Sequence, residues 1–376
     1  MAGYPLIILG AGASYDSLEN HNSFAALRRI ELDDWKPPLS NDIFDRKRFD
    51  DVLNKYVDAK ILDAEVNYRV NSRYSLEDLI TDILTKDAPN DPIWYKRLMS
   101  FRLYIQDLFS VITQKYFDRR NNYYRLLSEI NKHAENKACF VNFNYDLLLE
   151  KNIFDTENMV DVDEYVNGSL KVIKIHGACN WFRPSGIGYE SDRDFKNGKE
   201  FLIHNAQRIF VQENNGKIEV QFPKPFIKNV SSEWKLYESI NRRGFDGMVN
   251  YFIPDIALPV NKKRDFVCPE THIEILKKQL LIADRVVIIG WKAADKFLLD
   301  VLKSHIKNKP IFVVSHKSSV EISKYLKEEY GFNVVPITQG FSEFLKSGNC
   351  AKILSAENLD VLIQREDFKT DQAKIL

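Results

Sequence analysis

Apolar and polar positions alternate in two different ways along this chain. Towards both ends they form short unbroken apolar runs, and through much of the first half they recur at helical spacing. Pro5-Leu6-Ile7-Ile8-Leu9 is a continuous apolar run stopped by Gly10, the pattern of a buried strand. Arg285 to Ile289, Ile311 to Val314 and Phe332 to Val335 also read as strands. Helical segments separate them: Asp295 to Ile306, Val320 to Tyr330 with its stop at Gly331, and another beginning over Phe341 to Leu345. Strands recurring with helices between them imply right-handed crossovers and a parallel sheet.

From about residue 17 to 136 the period turns helical. Ser75-Leu76-Glu77-Asp78 is an N-cap signature leading into Leu79, Ile80, Ile83 and Leu84. Asp91-Pro92 opens a longer helix with Trp94, Leu98, Phe101, Ile105, Leu108, Phe109 and Ile112 along one face. A third helix is expected over Tyr123 to His133. Strands resume at Ala138 to Asn142 and Leu170 to Ile175, so the helical block lies between two strands of one sheet. Residues 182 to 255 are less regular, with hairpin signals at Asn197-Gly198 and Asn215-Gly216. The tail after Ser355 is polar and expected to be partly disordered. The predicted fold is α/β, a Rossmann-like doubly wound parallel sheet in one domain over 1–376. It carries an inserted helical subdomain at 17–136 and an irregular, hairpin-containing insertion at 182–255.

Composition narrows the class. Hydrophobic residues are 44% and charged residues 28% of the 376, ordinary for a globular protein with a substantial core. Lys+Arg and Asp+Glu are equal at 53 each, which gives no long-range steering towards nucleic acid or an anionic membrane. Cys139, Cys179, Cys268 and Cys350 are widely spaced with no C-x-x-C pair. That argues against a zinc site and for a reducing compartment. The run Leu6 to Leu9 is too short to span a membrane or serve as a signal, so a cytoplasmic location is expected.

Candidate chemistry gathers at strand ends. Gly10-Ala11-Gly12 after a strand lets backbone N–H groups and a helix start approach a pyrophosphate, and Ser14 adds a hydroxyl. The plainer reading is a tight strand-to-helix turn with no ligand. The third glycine of the full dinucleotide fingerprint is missing, since Tyr15 and Asp16 stand in its place. Gly290 ends the strongest strand and is a second point of close backbone approach, or simply a strand stop. Asn144 is a turn residue or an amide that fixes ribose and water. Asp146 is an N-cap or an acid, and His176 a core histidine or a base. No metal-ligand spacing, nucleophile elbow or P-loop lysine is present. For NAD this is enough. Nicotinamide leaves a cationic pyridinium as a neutral molecule, so no general acid is needed, in contrast to ordinary glycosidases with paired carboxylates.

These residues resemble the sirtuin superfamily. Gly10-Ala11-Gly12-Ala13-Ser14 resembles the start of the cofactor loop, Phe143-Asn144-Tyr145-Asp146 the Gln-Asn-Ile-Asp motif, and His176-Gly177 the His-Gly pair. Gly290-Trp291-Lys292 resembles the late Gly-Thr-Ser turn, and Ser315 falls near the adenosine-ribose position. The chain is more closely similar to bacterial sirtuin-like NADases of antiphage defence. They share Asn-Tyr-Asp, a Leu-Glu-Asp-Leu-like helix (here Leu76 to Leu79), and the stretch Ile256-Ala257-Leu258-Pro259 followed by Lys262 and Lys263. Three departures stand out. Residues 182 to 255 hold no cysteine where deacylases carry a zinc ribbon, Phe143 replaces the glutamine, and Lys292 replaces the late serine.

The resemblance implies an NAD+ glycohydrolase that takes NAD+ as substrate and needs no metal. It implies catalytic roles for Asn144, His176 and Asp146, and NAD contacts from Gly10, Ala11, Gly12, Ala13, Ser14, Asp16, Gly290, Trp291, Lys292 and Ser315. It further implies abortive-infection defence by NAD+ depletion, with a hexameric translocase-type ATPase as partner. The alternatives are an NAD-dependent protein deacylase and a non-catalytic NAD or ADP-ribose sensor. A homo-oligomer is expected because Trp94, Phe101, Tyr104, Phe109, Tyr116 and Phe117 exceed what one core-facing stripe needs.

Overall fold

The computed structural model describes residues 4–18, 32–39, 42–70, 74–156, 158–159, 161–185, 187, 198–215, 225–227, 252–260, 267–306 and 308–355. Its centre is a parallel sheet built from β1 (Pro5–Leu9), β2 (Ala138–Asn142), β3 (Leu170–Lys174), β7 (Arg285–Ile289), β8 (Pro310–Val314) and β9 (Asn333–Ile337). Three further strands, β4 (Gly177–Pro184), β5 (Phe226–Ile227) and β6 (Phe252–Ile256), form a separate small sheet. The central order is β3-β2-β1-β7-β8-β9. Counted within that sheet it is 3-2-1-4-5-6, the doubly wound Rossmann order. β1, β2, β7 and β8 are buried along their whole length, which explains their unbroken apolar runs. The chain reverses direction across the sheet between β1 and β7, paired from Pro5–Arg285 to Leu9–Ile289. The crevice beyond the carboxyl ends of those two strands is the switch point where such sheets bind ligands.

Between β1 and β2 the described residues are largely helical, as the periodicity predicts. Helices run over Arg46–Leu53, Val57–Arg69, Leu76–Asp82, Ile93–Tyr116 and Asn122–His133. Ser75 and Asp78 form a reciprocal capping box at the third of these. The Ile93–Tyr116 helix is buried on nearly every side, with Phe101 and Tyr104 fully enclosed and Phe109 and Tyr116 close to it. Trp94 and Phe117 pack against the same core. The aromatics expected to reach a second subunit are therefore consumed inside one chain. Tyr104 donates to Ile43 O at 2.6 Å, and Phe101 and Tyr104 both stack on Phe44.

The 182–255 region differs from its reading. Gly198 begins the helix Gly198–His204 instead of closing a hairpin, and Asn215 ends the helix Ala206–Asn215. Local turn propensity loses there to tertiary packing, because the second helix brings Phe210 onto Tyr95 and Glu213 onto Arg102. The antiparallel sheet, ordered β5-β4-β6, is tied to the second of these helices by the pair of Arg183 on β4 with Glu213. Asn197, Gly216, Lys262, Lys263 and the tail after Ser355 lie outside the described residues.

Candidate active site at the sheet switch point

The carboxyl ends of β1, β2, β7 and β8, with the turn after β3, bring the sequence-predicted residues to one edge of the sheet. The two glycine turns interlock. Gly12 N donates to Gly290 O and Gly10 N to Ile289 O, both at 3.0 Å, and Gly290 N donates to Val314 O at 3.1 Å. Gly290 has φ +62°, and a Cβ there would sit 2.3 Å from Ala13 N and 2.5 Å from Gly12 C. The N–H groups of Gly10 and Gly12, expected to be free for phosphate, are thus already used to join the turns. Ala11 is exposed and Gly12 and Gly290 half-buried at the mouth of the crevice, while Ala13 and Ser14 are buried.

Asn144 holds the first turn from below. Its Nδ2 donates to Gly10 O at 3.0 Å and to Ser14 Oγ at 2.9 Å, and Tyr123 OH lies 2.8 Å from the same Ser14 Oγ. Burial pushes the Tyr123 phenol well above its ordinary range, with Asp146 adding to the effect, so it stays a donor. The Asn144 loop is tied down in turn. Asn144 N donates to Asn142 Oδ1 at 3.0 Å, Leu147 N to Thr113 Oγ1 at 3.1 Å, and Cys179 N to Tyr145 O at 2.9 Å. Lys174, fully buried, donates to the carbonyls of Asn144 and Asp146 and pairs with Glu150 at 3.0 Å.

Asp146 is buried beneath the Asn144 loop. It is 1% exposed, and its Oδ1 accepts from Leu148 N at 3.1 Å in an Asx turn; the helix that follows starts only at Glu150 with Leu149 at its N-cap, so Asp146 is not the helix cap that the plainer reading expects. Burial raises both the Asp146 and Glu150 carboxyls above their ordinary values, and the Lys174 ammonium opposes this. Asp16 is also engaged by the protein. Its Oδ2 accepts from Ser342 N at 2.9 Å and its Oδ1 from Ser342 Oγ at 2.6 Å, which ties the glycine turn to the helix Phe341–Lys346.

His176 is half-buried beside a row of rings. Phe143 meets it edge-on at 4.8 Å and stacks on Trp291 at 4.9 Å, and Tyr145 lies at 6.4 Å. Ala257 N donates to His176 O at 3.0 Å and Tyr145 OH to Ala257 O at 2.7 Å, so the segment after β6 fixes the backbone at the histidine. His176 Nε2 is 3.4 Å from Asp295 Oδ2. Lys292 is exposed and Ser315 half-buried at the far side, where Ser315 Oγ contacts Ser318 Oγ at 2.6 Å.

The structure adds Asp295, Lys174, Glu150, Asn142 and Tyr123 to this neighbourhood. Asp295 lies 119 positions from His176, a pairing that no local pattern reveals. Lys174 sits in the alternating Lys171 to Ile175 stretch and looks solvent-facing until β3 is placed beside β2. Among the described residues no group of three or more His, Cys, Asp or Glu is placed to hold a metal ion. The four cysteines are buried free thiols. Among the described residues no helix is long and apolar enough to cross a membrane.

No protein-family model matches the chain, and no curated protein matches it in sequence. Among solved structures it is similar to a mutant Sir2 homologue in complex with ADP-ribose, at 11% identity over 97% of this chain and 95% of that one, with a TM-score of 0.40. It is similar to a Sir2 homologue in complex with NAD at 12% identity, 94% and 91% coverage and a TM-score of 0.40. A Sir2 mutant in complex with 2′-O-acetyl ADP-ribose gives 13% identity, 95% coverage of each chain and a TM-score of 0.41. The class itself, an α/β protein with a Rossmann-like doubly wound sheet, rests on the strand order and the parallel registers.

Proposed function

We propose that the chain binds NAD+ across the β1/β7 switch point and hydrolyses it to ADP-ribose and nicotinamide. The observation that carries this reading is the placement of Asn144 under the Gly10–Ser14 turn with a histidine–carboxylate pair at the same sheet edge. In the reaction the bond from C1′ of the ribose to the pyridinium nitrogen breaks, and its electron pair leaves with neutral nicotinamide. Water oxygen bonds to C1′, and the proton it loses passes to His176 and then to solvent. Gly12, Gly290, Lys292 and Ser315 are the residues of the crevice assigned to the pyrophosphate and ribose. Asn144 holds the loop and orients the ribose, and Asp146 acts on the Asn144 loop rather than on the substrate. Depletion of NAD+ in antiphage defence, restrained by self-association or a translocase-type ATPase, belongs to the same proposal, and its motive is the sequence resemblance. The aromatics of the Ile93–Tyr116 helix lend it no support.

Incubation of purified protein with NAD+, followed by chromatography for nicotinamide and ADP-ribose, tests the reading. Asn144→Ala and His176→Ala are expected to lower turnover about 10²–10⁴-fold while remaining folded. Near-normal turnover in either variant refutes it. Release of an acylated ADP-ribose from an acyl-lysine peptide, with no hydrolysis in its absence, establishes the deacylase instead.

A further inference from the structure

We infer that Asp295 is a positioning residue for His176, holding the imidazole in the Nε2–H tautomer so that Nδ1 is the basic atom. The inference rests on the reading of His176 as the base. The two oxygens of Asp295 meet different partners. Oδ1 accepts from Leu298 N at 2.9 Å as the N-cap of the helix Lys296–His305, and Oδ2 lies 3.4 Å from His176 Nε2. The cap fixes where the carboxylate stands, because its χ angles are set by a helix that itself packs Leu298, Leu299 and Leu302 into the core. The ring it faces is equally constrained, edge-on to Phe143 and flanked by Tyr145. Both side chains are mostly buried, at 16% for His176 and 9% for Asp295. A carboxylate accepts hydrogen bonds and donates none, so it selects the tautomer with hydrogen on Nε2 and leaves the lone pair on Nδ1. A contact of 3.4 Å is long for such a bond, as catalytic hydrogen bonds often are before substrate binds.

Asp295→Asn separates this role from a structural one. The asparagine keeps an oxygen for Leu298 N, so the helix cap survives, and it turns an NH₂ towards His176. That group donates, so Nε2 becomes the acceptor and the ring is driven to the Nδ1–H tautomer. Nitrogen-15 NMR of histidine-labelled full-chain protein, with the His176 signals assigned by difference from His176→Ala, reads the tautomer directly. The expected result is Nε2–H in the wild type, Nδ1–H in Asp295→Asn, and a loss of NAD+ cleavage of about 10²–10⁴-fold in the variant. Asp295→Ser, which keeps a capping oxygen but is too short to reach the ring, is expected to lose turnover without loss of the fold. An Nε2–H tautomer that persists in Asp295→Asn overturns the pairing. A switched tautomer with unchanged turnover overturns the positioning role. If the wild type leaves NAD+ intact, the hydrolase reading fails, and the tautomer comparison still decides the pairing.

Discussion

Lys174 has no exposed surface, and the groups it touches explain why a lysine is kept there. Its ammonium donates to two carbonyls of the 143–149 loop and neutralises Glu150, whose Oε1 also accepts from Asn142 Nδ2 at 2.9 Å. Lys174 therefore joins the end of β3 to the loop that carries Asn144. Lys174→Met keeps much of the volume but leaves Glu150 and Asp146 buried with no counter-charge. Stranding a buried charge in this way costs about 3–5 kcal/mol. Urea unfolding at pH 7 is expected to show that loss, and adding Glu150→Gln is expected to recover part of it. A Lys174→Met protein as stable as the wild type contradicts this account. Asn144 has the same double nature. Its amide nitrogen is already bonded to Gly10 and Ser14, so its removal disturbs the cradle as well as any ribose contact.

The glycine turns act as one element, because the backbones of 10–13 and 290 occupy each other's side-chain space. Gly290→Ala must adopt φ +62° and also push against Ala13 N and Gly12. The left-handed conformation and the overpacking together cost about 2–5 kcal/mol. Gly331, the C-cap of the helix Ser318–Tyr330 at φ +71°, has nothing within 4 Å of its missing Cβ, so Gly331→Ala meets the conformational cost alone, about 1 kcal/mol. Parallel denaturant melts of the two variants measure the difference, and equal losses rule out the interlock. At this scale the chain's own pattern was readable where one signal dominated. β1, β2, β7 and β8 show it as apolar runs buried on both faces, and Ser75–Asp78 as a capping box. It was unreadable where tertiary contacts decide. β4 mixes Asn180, Arg183 and Pro184 with Trp181 and Phe182, because Arg183 is drawn inward by charged partners from other elements. The helix Glu270–Ile282 goes unmarked because it opens on Pro269 with no side-chain cap.

For the molecule as a whole, those partners form a buried four-charge network behind the site. Glu213 receives Arg102 through two bonds of 2.7 and 3.0 Å and also receives Arg183, whose Nε donates to Asp255 at 2.9 Å. The network fastens the helix Ala206–Asn215 to the Ile93–Tyr116 helix and to β4 and β6. β6 leads directly to Ala257, which holds the His176 backbone. Burial alone raises the Glu213 carboxyl, but the Arg102 and Arg183 guanidiniums outweigh it and bring the value down from 4.5 to about 2. Asp255 moves the other way, since burial raises its carboxyl and Arg183 only partly offsets that. A carboxyl depressed in the folded state binds fewer protons there than in the unfolded chain, so stability falls as pH falls. The Glu213 contribution, on the order of 3 kcal/mol, is present above pH 4.5 and is lost between there and about pH 2. Denaturant melts of wild type and Glu213→Gln at pH 7, 4 and 3 isolate it. The variant is expected to be less stable at pH 7, and the gap between the two is expected to narrow steadily as pH drops through the window. A gap that stays constant from pH 7 to pH 3 shows that the glutamate's charge does not hold this layer to the sheet.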